Sequence, residues 1–410
     1  MTPCTAPRKA GRPLPLPRRL LALCIAPALA GALLWATPAH AQEPPGQRPL
    51  RILSLNAEHL MSPTRFGQWQ SYCRPLGWRE PDTSRDKAGA IARRPADMSY
   101  CNALDGTDGR GHRRFAPVHD HEAWEQKRAQ LAALLRAADA DVVLLQEVSD
   151  AEAARMILGQ RYEVVGSEEL RREDRIAQNL AIGWRVGMAL TAADVELVQP
   201  ISQRGEDGHR TRPGLALVHD LGGGRKLAIL NLHLKAGCRQ GRLDEATSQM
   251  PERLFRRQAD CAVLQRQVAA LEDWADRKLR QGFGVLLAGD FNRDLRREIR
   301  DRMPARSDGS NPAAPARPGQ IASLVAEISD RDPPAAHFSL IPARRYPKLA
   351  DCHRHIDGFL LSRNAESWLA VPLRQLSNTV IPFDRPISLD RVRPSDHCPH
   401  LIHLPWRERQ

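Results

Sequence analysis

Six short segments of this 410-residue chain gather the residue types that perform proton-transfer and metal chemistry. LRILSLNAEHL carries Asn56 and Glu58, and DVVLLQEV ends in Gln146 and Glu147. LAILNLHLKAGC places His233 close to Lys235, and GVLLAGDFNRD delivers Asp290 and Asn292. HIDGFLLS supplies Asp357, and VRPSDHCPHLIHL presents Ser395, Asp396 and His397. Carboxylates are hard oxygen ligands that suit Mg²⁺ or Mn²⁺. An imidazole held by a carboxylate keeps its proton and can donate it. These types together suit hydrolysis of an anionic ester, which needs its charge neutralised, its nucleophile aligned and its leaving oxygen stabilised.

In every segment the polar residues border an apolar run of strand length. The runs cover 50–55, 141–145, 180–184, 215–219, 227–232, 284–288, 356–361 and 401–404. Several are nearly continuous in Val, Ile and Leu, as expected of strands covered on both faces. Residues 124–138 and 259–280 instead repeat apolar residues every three or four positions, the helical spacing. Strands alternating with helices predict a layered α/β domain. Rigid strand ends then aim the polar residues into one crevice. Asp290 and Asn292 alternate along an extended chain and are expected to face the same side. Residues 61–122, rich in Gly, Pro, Arg and Asp, read as a poorly structured insertion that Cys73 and Cys101 would staple. Residues 201–213 read as a polar excursion and 303–320, rich in Pro, Ala and Ser, as a mobile loop.

The ordered set LNxE, LQE, HL, GDFN, ID and SDH resembles the endonuclease/exonuclease/phosphatase superfamily over roughly residues 50–405, insertions excepted. GDFN alone can be a strand running into an Asp-rich turn; six motifs in the family's order are far more specific. The resemblance implies a four-layered α/β sandwich, two packed and mostly antiparallel β-sheets flanked by helices. It implies Glu147 as principal ligand of Mg²⁺, with Mn²⁺ or Ca²⁺ as alternatives, Glu58 supporting the metal and Asp396 binding or orienting it. The bland alternative for Glu147 is a cap on the following helix, a task open to Asp150 as well; Glu58 can equally be solvated. By the same resemblance Asp290 positions or deprotonates the attacking water, Asn292 donates to a phosphate oxygen, and Asn56 orients the phosphate or metal-bound water. His397 pairs with Asp357, and His233 is the second active-site histidine. In pancreatic-type deoxyribonucleases that second histidine has a glutamate partner, and the comparable position here holds Gln178. Gln178 and Asn179, with Arg175 nearby, are therefore candidates for phosphate contact. His112, His119 and His121 are expected to be solvated loop residues, and nothing in the sequence completes a tetrahedral metal site around His353 and His355.

Residues 1–41 hold five basic and no acidic residues, then an apolar stretch from about 20 to 35, then Ala39-His40-Ala41. This is the order of a secretory signal peptide cleaved before Gln42, followed by a linker over 42–49 and a catalytic domain over 50–406. Pro27 interrupts the apolar stretch, which falls short of the roughly 20 residues a membrane span needs. The expected product is secreted or periplasmic, monomeric and without stable membrane association. Its six cysteines permit 15 pairings; chain order suggests Cys73–Cys101, Cys238–Cys261 and Cys352–Cys398, the last bracing Asp357 against His397. The full chain has 60 basic and 48 acidic residues, and loss of the leader still leaves a basic excess, which favours polyanionic partners. The expected substrate is nucleic acid, DNA first and RNA second. A sphingomyelinase-like activity would need an apolar docking element, yet aromatics are only 5% of the chain and scattered. An inositol-phosphatase-like activity lacks its extended motifs. A catalytically inactive binding module would require lost central residues, and none is missing.

Overall fold

The computed structural model describes residues 48–79, 94–107, 111–172, 175–205, 209–243, 252–301, 321–343, 355–383 and 388–407, with backbone alone for 252–258. Each of the eight apolar runs becomes a strand: β1 (Leu50–Leu60), β2 (Val142–Val148), β4 (Asn179–Arg185), β6 (Gly214–Asp220), β7 (Lys226–His233), β8 (Gly284–Asp290), β10 (Asp357–Ser362) and β12 (His400–Leu404). Four more strands were not evident in the sequence: β3 (Tyr162–Gly166), β5 (Val195–Val198), β9 (Phe338–Leu340) and β11 (Asn378–Val380). They assemble into two six-stranded sheets with orders β11-β12-β1-β2-β4-β3 and β5-β6-β7-β8-β10-β9. One central pair in each sheet is parallel, β1 with β2 and β7 with β8. The remaining pairs are antiparallel.

Side-chain alternation explains the layers. On β1, Ile52 faces the other sheet, packing in a core with Leu144, Leu217, Ile229 and Phe359. Leu53 and Leu55 point the opposite way, onto helices α2 (His121–Ala138) and α3 (Ala151–Leu158). The second sheet is covered by α4 (Glu252–Arg280) through Leu264, Val268, Leu271 and Trp274, spaced at three and four residues. The sandwich therefore has four layers, as the resemblance implied. Burying each such side chain contributes about 1.5–3 kcal/mol. Asp120 and Asp150 cap α2 and α3 by accepting from Ala123 N and Ala153 N at 2.8 and 2.9 Å. Asp150 thus takes the capping task and leaves Glu147 to other uses.

The segment 61–122 departs from expectation. It contains α1 (Pro63–Cys73) and a core of its own in which Phe66, Trp69, Cys73, Cys101 and Trp124 are buried together. The Cys73–Cys101 disulfide bridges the end of α1 to a later stretch of the segment, with Cα atoms 5.2 Å apart. Trp78 stacks on His119 with centroids 3.9 Å apart, and His119 lies 3.3 Å from Asp105, so this histidine is packed rather than solvated. Aromatic residues scattered in the sequence converge here, which is why the segment looked unstructured. The expected 201–213 excursion has a backbone stem, with Thr211 N donating to Gln203 O at 2.8 Å and Arg204 bridging Arg210. The expected leader, most of the linker, the 303–320 loop, Cys352 and His353 lie outside the described residues.

Beneath β1 the Glu58 carboxylate is held by Lys127 of α2 at 3.4 Å and by Arg393. The Lys127 ammonium, fully buried, also donates to the Pro394 carbonyl. One ion cluster thereby joins β1, α2 and the chain leading to His397. Removing one member of a buried pair leaves an uncompensated charge and costs about 3–5 kcal/mol. Because Arg393 remains, Lys127→Met is expected to lower the unfolding free energy by about 3 kcal/mol in a urea titration. A loss below about 1 kcal/mol would show that Arg393 alone neutralises Glu58.

Candidate active site

Strand register places the polar residues in rows. Across the second sheet His233 pairs with Asp290, and Asp290 pairs with Asp357, so three adjacent strands present them at one level. In the first sheet Asn56 on β1 is level with Gln146 on β2. Both parallel pairs end here, where ligands of open α/β sheets collect.

Local backbone irregularity finishes the arrangement. Neighbours on a regular strand face opposite sides, and Gln146 points inward, donating to Asn231 Oδ1 of the other sheet at 2.7 Å. Glu147 nevertheless lies on that inward side, receiving Asn56 Nδ2 at 3.1 Å and sitting 3.5 Å from His233 Nε2. The strand register shifts between Gln146 and Val148, and Glu147 has φ +57°. This bulge turns the carboxylate around. Glu58 and His59 carry φ +46° and +53° at the opposite shift in β1. Such left-handed backbone in non-glycine residues is costly and clusters at functional sites.

Asp290 is almost wholly buried and stands at the centre. Its Oδ2 receives the Asn56 and Asn292 carboxamides, each at 3.2 Å, and its Oδ1 receives Asn292 N at 2.8 Å. His397 Nδ1 lies 2.7 Å from Asp357 Oδ2, while its Nε2 lies 3.7 Å from Asp290 Oδ2 and 4.0 Å from Asp396 Oδ1. Ser395 fixes the loop by donating to the Asn56 carbonyl at 2.6 Å and accepting from His397 N at 3.0 Å.

Burial raises the Asp290 carboxyl to about 7, helped by Asp357 and Glu147 and opposed by His397. Burial works against charge on His397, yet Asp357, Asp290 and Asp396 together hold it well above the ordinary histidine value. Burial drives His233 well below that value, reinforced by Arg212, His397 and His59. The site thus keeps one imidazole protonated and the other neutral.

Several expected roles change. Asn292 comes beside Asp290 through a turn, with φ +51°, rather than by strand alternation. Its amide hydrogens go to Leu234 O at 3.0 Å and to Asp290, so it orients that carboxylate. Glu58 is paired with Lys127 and Arg393 and so anchors β1 to its neighbours. Asn179 is buried and spends its carboxamide on Ser149 O, Ile176 O, Ser167 and Arg171, which removes it from phosphate contact. Gln178 meets His59 Nε2 at 3.3 Å, and His233 Nδ1 is buried without a hydrogen-bond partner among the described residues. Asp396 stays close to His397 and is the more exposed of its carboxylate neighbours.

Two neighbours were missed. His59 lies 3.3 Å from Glu147 and is held at Nδ1 by Ser99 at 2.9 Å; its place directly after the LNxE motif was the only signal. Arg212 donates to Leu234 O at 3.2 Å and feels the charges of Glu147 and Asp290; nothing in the polar stretch around it marked it out. The Cys238–Cys261 bridge is present, with Cα atoms 5.1 Å apart. Arg293, buried against Glu298, also donates to the Cys238 and Gly241 carbonyls at 2.7 and 2.8 Å and ties that loop to the turn after Asp290. Cys398 is disulfide-bonded, while Cys352, its expected partner, lies outside the described residues.

The model of the Endonuclease/Exonuclease/phosphatase family matches residues 118–397. Among solved structures, the chain is similar to ANGEL2, a 2',3'-cyclic phosphatase, in complex with adenosine-2',3'-vanadate, at 15% identity and a TM-score of 0.44, over 87% of this chain and 95% of that one. It is similar to the human Nocturnin catalytic domain at 13% identity and a TM-score of 0.39, over 88% and 95%. It is also similar to the AP endonuclease LMAP from Leishmania major at 15% identity and a TM-score of 0.36, over 70% and 85%. No curated protein sequence matches the chain significantly.

The raised His397 value has a consequence for stability. An unfolded histidine titrates near about 6.5. The dyad's contribution is therefore complete below about pH 6.5 and is lost as pH rises through the higher folded value. In metal-free protein the stability gap between wild type and His397→Gln should shrink steadily above neutral pH in urea titrations. A gap that stays flat or widens with pH contradicts the assignment of a protonated His397.

Proposed function

The chain belongs to the endonuclease/exonuclease/phosphatase family, a family of metal-dependent phosphoester hydrolases, and on that premise we propose that it is an exported phosphodiesterase acting on nucleic acid, with DNA as its foremost substrate. The observation that carries this reading is the line Asp357–His397–Asp290, lying beside Glu147 and Asn56 where the two parallel strand pairs end.

The donor set fits a divalent cation. Glu147 and Asp290 share one carboxamide, that of Asn56, and oxygen donors of this kind suit Mg²⁺ or Mn²⁺. Asp290, Asp357 and His397 can also bring ligand atoms within 4.8 Å of one another. His397, however, is protonated and commits Nδ1 to Asp357, so it has no lone pair to offer. Glu147, oriented by Asn56, is therefore the residue that would hold the metal, and Asp396, beside His397, would bind or orient it. When bound, a divalent cation neutralises the phosphate and the departing oxygen.

The chain's own residues perform the rest. Asp290, near 7 and steadied by Asn56 and Asn292, is suited to take a proton from the attacking water at neutral pH. Oxygen attacks phosphorus, the bond from phosphorus to the leaving oxygen breaks, and one water is added across it. His397, kept cationic by Asp357, donates to the phosphoryl oxygen as charge accumulates. His233 stays neutral at the opposite wall and presents Nε2 toward Glu147 and Asp290.

The test is a panel of plasmid DNA, RNA, sphingomyelin and bis-p-nitrophenyl phosphate, each with Mg²⁺ or EDTA. The expected result is plasmid nicking abolished by EDTA and reduced about 10²–10⁴-fold by His397→Ala or Asp290→Ala. Full activity in either variant removes the proposed site, and activity confined to sphingomyelin removes the nucleic-acid reading. Export is checked separately by N-terminal sequencing of protein recovered outside the cytoplasm, which should begin at Gln42; an intact Met1 terminus contradicts it.

A further inference from the structure

The small core of the insertion takes in Phe66, Trp69 and Trp124, whereas Tyr100 is left 49% exposed. Its backbone is nevertheless fixed from both sides. Ser99 holds the His59 ring beside Glu147, and Cys101 is bridged to Cys73. The Tyr100 carbonyl receives Trp69 Nε1 at 3.1 Å. The Arg94 guanidinium lies over the tyrosine ring, 4.0 Å from its centroid. Among the described residues no other aromatic ring stacks on it.

Tyr100 lines a cavity of about 400 Å³ beside the catalytic row, whose wall includes His59 and several arginines. One of these, Arg212, feels Tyr100 together with the Glu147 and Asp290 carboxylates. The arginines are already engaged within the protein. Arg94 donates to the Met98 carbonyl, Arg175 lies 3.7 Å from Asp97, and Arg212 donates to the Leu234 carbonyl. The tyrosine ring is the surface left for a ligand. A rigid aromatic offers large contact area at little cost in conformational freedom. Every nucleobase has a flat π face that can stack on such a ring. Bases inside a duplex are stacked on one another, so only a base taken out of that stack can lie on the tyrosine. Residues 94–101 precede the stretch matched by the family model, 118–397, so the ring is supplied by this chain's insertion.

We infer that Tyr100, backed by Arg94, is a stacking platform for an unstacked base near the scissile phosphate, which makes single-stranded nucleic acid the preferred substrate. The inference rests on the nucleic-acid reading above and narrows it from DNA in general to strands whose bases are exposed. Supercoiled plasmid unpairs transiently and so stays open to nicking.

The test is steady-state cleavage, with Mg²⁺, of labelled oligothymidylate, of the same strand paired with oligoadenylate, and of a baseless strand of tetrahydrofuran residues. Wild type is compared with Tyr100→Phe, which keeps the π face, and Tyr100→Ala, which removes it. The side chain is half-exposed, so neither change opens a hole in the core. Stacking on an aromatic side chain corresponds to about tenfold in KM for the base concerned. Wild type and Tyr100→Phe should therefore show a KM about tenfold lower for oligothymidylate than for the baseless strand, with the duplex the poorest substrate. Tyr100→Ala should bring the oligothymidylate and baseless KM values together. Equal values in wild type, a gap that survives in Tyr100→Ala, or a duplex cleaved as well as the single strand overturns the inference. A gap lost equally in Tyr100→Phe also overturns it, because the hydroxyl and not the ring is then responsible. If wild type cleaves none of the strands, the nuclease reading fails by itself. Fluorescence anisotropy then still decides the platform: oligothymidylate bound about tenfold more weakly by Tyr100→Ala sustains it, and equal or absent binding overturns it.

Discussion

The structure turns on an excess of negative charge where two sheets meet. Asp290, Asp357 and Glu147 converge in a crevice that excludes most water, and burial, ahead of the neighbouring carboxylates, lifts Asp290 to about 7 against the pull of His397. Uncompensated carboxylates in such a place would neutralise themselves or disrupt the packing. Three devices offset the cost. Asn56 and Asn292 donate amide hydrogens into the cluster, His397 brings a proton held by Asp357, and a divalent cation completes the balance in an enzyme of this family. On the proposed reading, the same imbalance that strains the fold provides the affinity for metal and the base for catalysis.

Legibility followed burial. The eight strands recognised in the sequence fill the interior of both sheets, where both faces are covered and apolar runs are nearly continuous. The four that escaped notice, β3, β5, β9 and β11, are the four sheet edges. They have three to five residues each and carry a weaker pattern. The candidate site divides along a similar line. Asp290, Asp357 and His397 sit where strand ends must deliver them, so motif order sufficed. The partners of Glu58, Asn292 and Asn179 were not legible because their final bonds depend on a bulge, a left-handed turn and a buried carboxamide network. Sequence spacing encodes which residues approach the crevice but not which partners claim their hydrogen bonds.

The insertion shows how a peripheral segment comes to shape the centre. Its disulfide and tryptophans form a small core, which holds Ser99 against His59 and thereby sets a ring beside Glu147. Gln178 approaches His59 from the other side, although its sequence position suggested a role at His233. One histidine thus stands between neutral hydrogen-bonding groups contributed by two elements outside the central sheets and the Glu147 carboxylate. The insertion also carries Tyr100 and Arg94 to the adjacent cavity. A segment that composition marked as poorly ordered is, in the folded chain, a wall of the active site.

The two central imbalances are connected. His233 is driven neutral by burial, then by the positive charges of Arg212, His397 and His59, while His397 remains protonated beneath three carboxylates. Environments that push equivalent groups in opposite directions separate the acid from the neutral partner. Arg212 belongs to both sides of this division. It adds positive potential at His233, interacts with Glu147 and Asp290, and opens onto the cationic cavity. The wall between the carboxylate crevice and the cavity is therefore an electrostatic boundary, negative on the side of Glu147 and Asp290 and positive on the side of the arginines.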